Sequence, residues 1–530
     1  MTLIPKPYDI LEGQEGFFTL PATGIRVDIG TFDPSCLCAF LERARLVRLE
    51  NSDSIEGIQL VQDCNFASDE YKLSISDDGA LIKAATNEAV IYALTTLYQL
   101  MNTQRQIPYV WIHDMPRYQH RGLSLDVARH FFDAQEVKRI IEQMALVKMN
   151  VLHWHLVDDQ GWRIESKCFP RLHSQKANSY YTQDEIREVV AFAADRGIEV
   201  IPEIDMPGHA SSILAAYPEY SCSEKAVSLA TCGGIYPIIL CAGQEKTYAM
   251  ISDLLDEICP LFPSKRFHVG GDEAPKSEWQ KCPHCQEKIR AEHLANEIEL
   301  QGYFTNRVKE MLKVKGKTII CWNDSLEASN LNQDALVQFW SVNFAEYLQP
   351  YLDKGGQFIY SDMFTFYLDY PHSMTSLKRL YEDPIIIGET DYSESPALRG
   401  IEVCIWAEHL DTNEKLEARL FPRLYAAAEV MWSTQCDYCD FEKRLPTFLA
   451  AFHPADMVCI SQSDWNPKGD SRREEAFKYM ASITAAMTPE VLAETAKAAA
   501  PNEMFSRRFA QTFFEPSDLP YLAERNRSDN

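Results

Sequence analysis

Between about residue 121 and residue 407, short apolar runs alternate with longer amphipathic stretches. The first run, Gly122-Leu-Ser-Leu-Asp-Val, ends on polar residues and leads into Asp133 to Lys148. There Val137, Ile140, Ile141, Met144 and Ala145 recur at the spacing of one helix face. Asp133 and Glu136 form a helix-start pair that satisfies orphan amides in the first turn. Asn150-Val-Leu-His-Trp-His-Leu-Val-Asp-Asp is the second run, and a helix opened by Thr182 and Glu185 and closed near Gly197 leads to the third, Ile198-Glu-Val-Ile-Pro-Glu-Ile-Asp. Five more follow: Arg266-Phe-His-Val-Gly, Lys317-Thr-Ile-Ile-Cys-Trp, Ala335-Leu-Val-Gln-Phe-Trp, Gln357-Phe-Ile-Tyr-Ser-Asp and Glu402-Val-Cys-Ile-Trp. Helical stretches are predicted from Lys246 to Cys259, Cys285 to Val314 and Asn413 to Trp432. Eight such alternations predict a closed parallel (β/α)8 TIM barrel. A doubly wound sheet shares the alternation, but no Gly-rich phosphate turn follows the first strand.

The flanks differ. Tyr71-Lys-Leu-Ser-Ile-Ser and Gly79-Ala-Leu-Ile-Lys-Ala-Ala alternate like half-exposed strands, with Asp77-Asp-Gly as a hairpin turn, and Asn87 to Met101 reads as a helix. Residues 1–115 are therefore expected to form a small α+β domain, 116–460 the barrel, and 461–530 a helix-rich C-terminal extension. That extension either packs on the barrel or mediates self-association.

Composition narrows the partners. The 530 residues carry 51 Lys and Arg against 77 Asp and Glu, a net charge of −26, which opposes nucleic acid and anionic membranes. No run approaches the about 18 apolar residues of a membrane span. The N-terminus, Met1-Thr-Leu-Ile-Pro-Lys-Pro-Tyr, has no apolar stretch or small-residue cleavage site. The 15 cysteines spread over so long a chain read as free thiols, so a cytoplasmic location is the expectation.

In such a barrel the chemistry sits where the strands end. Those ends carry Asp126 and Arg129; His153, His155, Asp158 and Asp159; Glu203, Asp205 and His209; His268, Asp272 and Glu273; Trp322 and Asp324; Trp340; Tyr367 and Asp369; Trp406 and Glu408. The sharpest element is Gly270-Gly-Asp-Glu, directly after an apolar run. Its glycines allow a tight turn close to a ligand, and adjacent acids that differ in burial split in pKa, the usual acid/base arrangement. A turn opening a helix would use the same residues, since Asp and Glu favour the helix dipole. Trp322, Trp340 and Trp406, three of the nine tryptophans, fall at strand ends. They suit the C–H faces of a sugar or an acyl methyl, although any one of them could equally be core.

On these residues the sequence resembles glycoside hydrolase family 20, the β-N-acetylhexosaminidases. The stretches that carry the likeness are Arg121-Gly-Leu-Ser-Leu-Asp-Val-Ala-Arg-His, Asn150-Val-Leu-His-Trp-His-Leu-Val-Asp-Asp-Gln-Gly-Trp-Arg, Pro202-Glu-Ile-Asp-Met-Pro-Gly-His and His268-Val-Gly-Gly-Asp-Glu. It covers about residues 117 to 455, the N-terminal domain resembles the small α/β domain that commonly precedes such a barrel, and it thins after about 460. The resemblance implies an exo-acting retaining enzyme that removes terminal N-acetylglucosamine or N-acetylgalactosamine. Catalysis would be substrate-assisted, through an oxazolinium intermediate. By the same resemblance Glu273 is the general acid/base, Asp272 orients the 2-acetamido group and Tyr367 bonds its oxygen. Trp322, Trp340 and Trp406 form the aromatic box, Arg129 and Glu408 clamp the outer hydroxyls with Asp369 as a further contact, and Asp158 with His209 supports the acid/base. The last pair also reads as a structural ion pair. One departure is Asn323-Asp324, where the family commonly has Glu after Trp322; this carboxylate is expected in the outer part of the pocket.

The expected partner is a small-molecule carbohydrate, an acidic pocket suiting a neutral sugar better than a sulfated one, with no cofactor and no catalytic metal. Two alternatives are a metal-dependent hydrolase built on His153, His155, His209 and Asp272, and a non-catalytic carbohydrate-binding homologue. The first is disfavoured because the histidines precede Leu156-Val157 within the run and no later histidine completes a ligand set. The second is disfavoured because both acids are present. Cys282-Pro-His-Cys285 and Cys436-Asp-Tyr-Cys439 would make a zinc site only by meeting in space, which their separation of about 150 residues does not support.

Overall fold

The eight apolar runs close into one parallel barrel. A computed structural model describes residues 2–513 except 23, 50–56, 177, 224, 486 and 499–501. Its barrel strands, in chain order, are β1 His120–Asp126, β2 Val151–His155, β3 Glu199–Glu203, β4 Arg266–His268, β5 Thr318–Trp322, β6 Leu336–Phe339, β7 Gln357–Tyr360 and β8 Leu398–Ile405. Each pairs in parallel with the next, and β8 returns to β1 to remove both edges. Val151, Ile201, Ile320 and Ile359 fill the lower barrel interior, packed with Leu336, while a helical layer surrounds the outside. The helix starts follow the local chemistry: Asp133 accepts from the Glu136 amide, and Thr182 with Glu185 makes a reciprocal capping box.

Two predicted helices are each broken in two. The stretch from Cys285 to Val314 is Pro283–Ala291 and Glu297–Val314, because His293 turns to positive φ and Asn296 caps a new helix. The stretch from Asn413 to Trp432 is Asn413–Leu420 and Arg423–Trp432, interrupted at Pro422, which lacks an amide to continue the ladder.

Before the barrel stands a seven-stranded mixed sheet, in spatial order Asp9–Thr19, Gln106–Asp114, Tyr71–Ser76, Gly79–Ala84, Gly57–Gln62, Gly24–Asp28 and Val47–Leu49. The Tyr71–Ser76 and Gly79–Ala84 strands form the expected antiparallel hairpin, and helix Asn87–Leu100 packs on them. Asp114 pins this sheet to the barrel: its buried carboxylate accepts from Lys148 Nζ (2.7 Å), Tyr71 Oη (2.6 Å) and Trp432 Nε1 (2.8 Å).

After the barrel, helices Gly469–Ala485, Pro489–Ala498 and Glu503–Phe513 pack on it rather than standing away. Phe505 meets Phe364 edge-on at 5.1 Å, Arg508 bonds Asp362 (3.0 Å) and Asp383 (2.6 Å), and Thr495 Oγ1 accepts from the Ile235 amide (2.9 Å). Among the described residues no helix is long and apolar enough to cross a membrane.

Candidate active site

Parallel register sets the groups at the strand ends at one height. Asp126 on β1 lies opposite His155 on β2, His155 opposite Glu203 on β3, and Glu203 opposite His268 on β4. Below the pocket these inward side chains form a polar layer where branched apolar residues usually sit. Glu203 bonds His155, His268 (2.9 Å) and Trp322 Nε1 (3.0 Å), while Glu402 bonds His120 (2.7 Å), His153 (2.8 Å) and Gln338 (2.8 Å). Burial opposes charge on His153, but the Glu402 and Glu203 carboxylates outweigh it and raise its pKa to about 9.

Contrary to the sequence expectation, a later histidine does complete a cluster. His153, Glu203 and His268 converge, and His155 ends its strand instead of lying within it. Asp158 with Asp159 and His209, and Asp205 with His209 and Asp272, converge likewise. The His153 and Glu203 side chains already bond their neighbours and are buried beneath the pocket, out of reach of a substrate.

Above this layer the loop after β4 presents the two acids. Gly270 has φ +67°, and a Cβ there would lie 1.7 Å from Asp205 Oδ1, so only glycine fits beside that carboxyl. Asp205 Oδ1 accepts from the Gly271 amide (3.1 Å). Burial and then the charge of Asp272 push the Asp205 carboxyl well up. Glu273 itself sits at φ +51°, a conformation costing of order 1–3 kcal/mol in a non-glycine residue. Its amide donates to Asp324 Oδ1 (3.0 Å), and Trp340 Nε1 donates to Asp324 Oδ2 (2.6 Å).

Asp324 lies where the outer, second cavity borders Glu273 and Trp340, as expected, but it is almost fully buried there and holds Glu273 and Trp340 in place. Burial and the nearby Asp272 push its pKa up to about 7. Asp324→Asn keeps one acceptor and turns an NH2 toward the other donor. We expect it to cost about 1–3 kcal/mol, a fall of several degrees in Tm, with kcat reduced more than KM. Calorimetry with steady-state kinetics reads both.

The two acids differ in setting. Asp272 is deeper, its side chain 15% exposed against 27% for Glu273. His209 Nε2 reaches both, at 3.5 Å from Asp272 Oδ2 and 3.4 Å from Glu273 Oε2. Its Nδ1 faces Asp158 Oδ1 at 3.3 Å. Burial opposes its protonation, but Asp158 and Asp272 outweigh that and make it an imidazolium. Burial, followed by Glu273, lifts Asp272 to about 6 against the pull of His209. The predicted Asp158–His209 pair is thus formed, and Asp158 also holds Arg129 Nη2 (2.7 Å) and His155 (2.9 Å).

Arg129 stacks over Trp406 at 4.9 Å, and Glu408 and Asp369 line the same wall. Burial and then Glu408 raise Asp369 to about 7. The aromatic groups do converge: Trp340 and Tyr367 stack at 6.4 Å, and Trp406 lies 5.8 Å from Tyr367 and 5.9 Å from Trp322. Trp322 is almost fully buried, a floor beneath the others.

These residues enclose a cavity of about 180 Å³ lined by Arg129, Asp272, Glu273, Trp340, Tyr367, Asp369, Trp406 and Glu408. Its far wall was not legible in the sequence: Gly233, Gly234, Tyr370 and His409 come from barrel loops, and Tyr479, Ile483 and Met487 from the C-terminal extension. Tyr370, next to Asp369, and His409, next to Glu408, had a neighbouring signal. A second cavity of about 350 Å³ adjoins it, lined by Pro275, Asn343, Phe344, Met363, Glu494 and Phe505, and Glu273 and Trp340 border both. The larger hollow of about 930 Å³ at the opposite end of the barrel, around Lys265, Arg266 and Gln357, holds none of these acids.

Comparison with known proteins bears on the family and the fold that carry this site. Residues 118–435 match the family model "Glycosyl hydrolase family 20, catalytic domain", and residues 1–115 match its domain 2. A Porphyromonas gingivalis beta-hexosaminidase is 32% identical over 501 residues, covering 84% of this chain and 62% of that protein, so the chain spans under two thirds of that relative. The Bacteroides fragilis beta-N-acetylhexosaminidase structure superposes with a TM-score of 0.78 at 29% identity, covering 86% of this chain and 96% of that one. A Vibrio harveyi exo beta-N-acetylglucosaminidase, solved in complex with N-acetylglucosamine, gives 0.75 at 27% identity, covering 85% and 76%.

Proposed function

Because the chain belongs to glycosyl hydrolase family 20, we propose that it is an exo-acting, retaining β-N-acetylhexosaminidase for terminal N-acetylglucosamine or N-acetylgalactosamine. The observation that carries this reading is the place of Glu273, at the junction of the two cavities and beside the deeper Asp272. A terminal sugar fills the smaller cavity, its leaving group occupies the larger, and Glu273 stands at the bond between them as general acid and then base. The smaller cavity lies below the about 300–1,000 Å³ of drug-sized sites, which suits a single sugar.

Asp272 faces the acetamido nitrogen and Tyr367 its oxygen, within the box of Trp322, Trp340 and Trp406. The acetamido oxygen closes on the anomeric carbon as the glycosidic bond breaks to the oxygen that Glu273 protonates. Water, deprotonated by Glu273, then opens the oxazolinium from the original face, so configuration is retained. Asp272 stabilises positive charge on the acetamido nitrogen, and the His209 imidazolium, fixed by Asp158, lies against both acids. NMR of the first-formed product tests the reading: the β-anomer is expected, with strong inhibition by a thiazoline analogue of the intermediate. Release of the α-anomer would refute it.

Exo action is supported by what closes the clamp side. Tyr479 lies 6.0 Å from Tyr370 and 5.7 Å from His409, and Ile483 and Met487 complete the wall next to Asp369 and Glu408. Among the described residues, this wall stands where a chain continuing beyond the sugar's outer hydroxyls would have to run. Tyr479→Ala with Met487→Ala is expected to raise KM for a terminal N-acetylglucosaminide about tenfold with little change in kcat, because uniform binding is lost. Steady-state kinetics decides it, and an unchanged KM would remove the wall from substrate binding.

A further inference from the structure

Away from the acids, the sulfurs of Cys222, Cys241, Cys282 and Cys285 all lie within 4.8 Å of one another. Cys241 Sγ is 3.7 Å from both Cys282 Sγ and Cys285 Sγ, and Cys222 Sγ is 3.8 Å from Cys285 Sγ. A disulfide would require about 2.05 Å. A tetrahedron with bonds of about 2.3 Å from zinc to sulfur has edges of about 3.8 Å, the spacing seen here. Cys241, Cys282 and Cys285 are buried and Cys222 is half-buried, so the centre is closed on most sides. From these distances we infer that the four cysteines bind one structural zinc ion as a tetrathiolate. The Cys282-x-x-Cys285 pair thus finds its partners on the loop after β3, and Cys436 and Cys439 do not join it.

The backbone around the cluster is shaped for this. A Cβ at Gly243 would fall 2.2 Å from the His284 carbonyl carbon and 2.4 Å from the Cys285 nitrogen, so the Cys241-Ala-Gly turn and the Cys-Pro-His-Cys turn pack backbone to backbone. Cys282 and Pro283 open helix Pro283–Ala291, whose positive end faces negative sulfur favourably. No carboxylate or imidazole is needed, and soft thiolates in a tetrahedral set select zinc over hard cations.

The position explains a use for the ion. Cys222 and Cys241 bracket the segment that carries Ala230, Cys232 and Gly233. The Ala230 amide bonds Asp159 O (3.2 Å), Gln160 bonds Cys232 O (2.7 Å), and a Cβ at Gly233 would lie 3.0 Å from the Glu408 carboxylate. Cys282 and Cys285 follow the loop of Asp272 and Glu273 in the chain. The ion therefore ties the pocket-wall segment to the catalytic loop.

The full chain, purified without added metal and with any affinity tag removed, is expected to contain one zinc per chain by elemental mass spectrometry. Titration with a mercurial should release that zinc in step with four thiols, read by a metallochromic dye. Cobalt exchanged into the site should show intense near-ultraviolet thiolate-to-metal absorption. Cys285→Ser should lose the metal and more than about 5 °C of Tm, while Cys436→Ser with Cys439→Ser should keep both. Should Cys285→Ser fail to fold, the mercurial and cobalt measurements on the unsubstituted protein decide alone. Free thiols without stoichiometric zinc, iron in place of zinc, a disulfide within the set, or zinc that survives Cys285→Ser would each overturn the assignment.

Discussion

Glu273→Gln should lower kcat on a disaccharide of N-acetylglucosamine by about 10²–10⁴-fold, the usual contribution of a positioned acid/base. Gln cannot protonate the departing oxygen, and a sugar alkoxide leaves poorly without a proton. A nitrophenolate leaves without one, so the bond-breaking step on a nitrophenyl glycoside should survive the substitution far better. The second step still suffers, because no group deprotonates the incoming water. Azide needs no deprotonation, so it should restore turnover on the nitrophenyl substrate and yield a β-glycosyl azide. Equal losses on both substrates, with no rescue, would show that Glu273 acts only by holding the loop. The side chain's 27% exposure and its place at both cavities support direct contact with the scissile oxygen.

Asp272→Asn is expected to cost about 10²–10³-fold in kcat, comparable to removing one preorganised electrostatic contact from a transition state. The loss should depend on the acetamido group: residual activity on the matching substrate with a 2-hydroxyl should be unchanged. The same residue sets a pH limb. Its carboxyl, lifted to about 6 chiefly by burial, is neutral below that pH, and the neutral form cannot balance positive charge on the acetamido nitrogen. Wild-type kcat/KM should thus fall about tenfold per unit as the pH drops below about 6. In Asp272→Asn, whose amide mimics the protonated acid, that limb should vanish. A limb unchanged in the variant would assign it to another group, with Asp324 and Asp369, both raised to about 7, the next to substitute.

Much of the fold is written locally. Eight mainly apolar runs, each ending in polar or aromatic residues, announce the barrel because a parallel strand buried on both faces is mainly apolar, the mid-strand layer of His153, Gln338 and Glu402 being the exception. The helix starts at Asp133 and Thr182 are legible because a cap needs only residues one turn away. The acids are legible for a related reason, since Gly270-Gly-Asp-Glu follows its strand directly and carries its own turn. Other features gave no local sign. The N-terminal strands at Asp9–Thr19 and Gln106–Asp114 owe their pairing to residues about a hundred positions apart.

The same division runs through the site. Strand-end position brings Arg129, Asp158, His209, Asp272, Glu273, Trp322, Trp340, Tyr367, Asp369, Trp406 and Glu408 into a longer list of polar and aromatic groups, and it is the resemblance to family 20 that picks these out of it. What each carboxylate does was decided by contacts between loops. Asp324 turned out to be the buried brace under Glu273, since the Trp340 indole and the Glu273 amide both point at it. The wall of Tyr479, Ile483 and Met487, and the meeting of Cys282 and Cys285 with Cys222 and Cys241, follow from where long connections land on the barrel. Those landings are fixed by burial summed over many weak contacts. No short stretch of sequence records them, whereas periodicity, capping and turn chemistry act within a few residues and can be read from the chain alone.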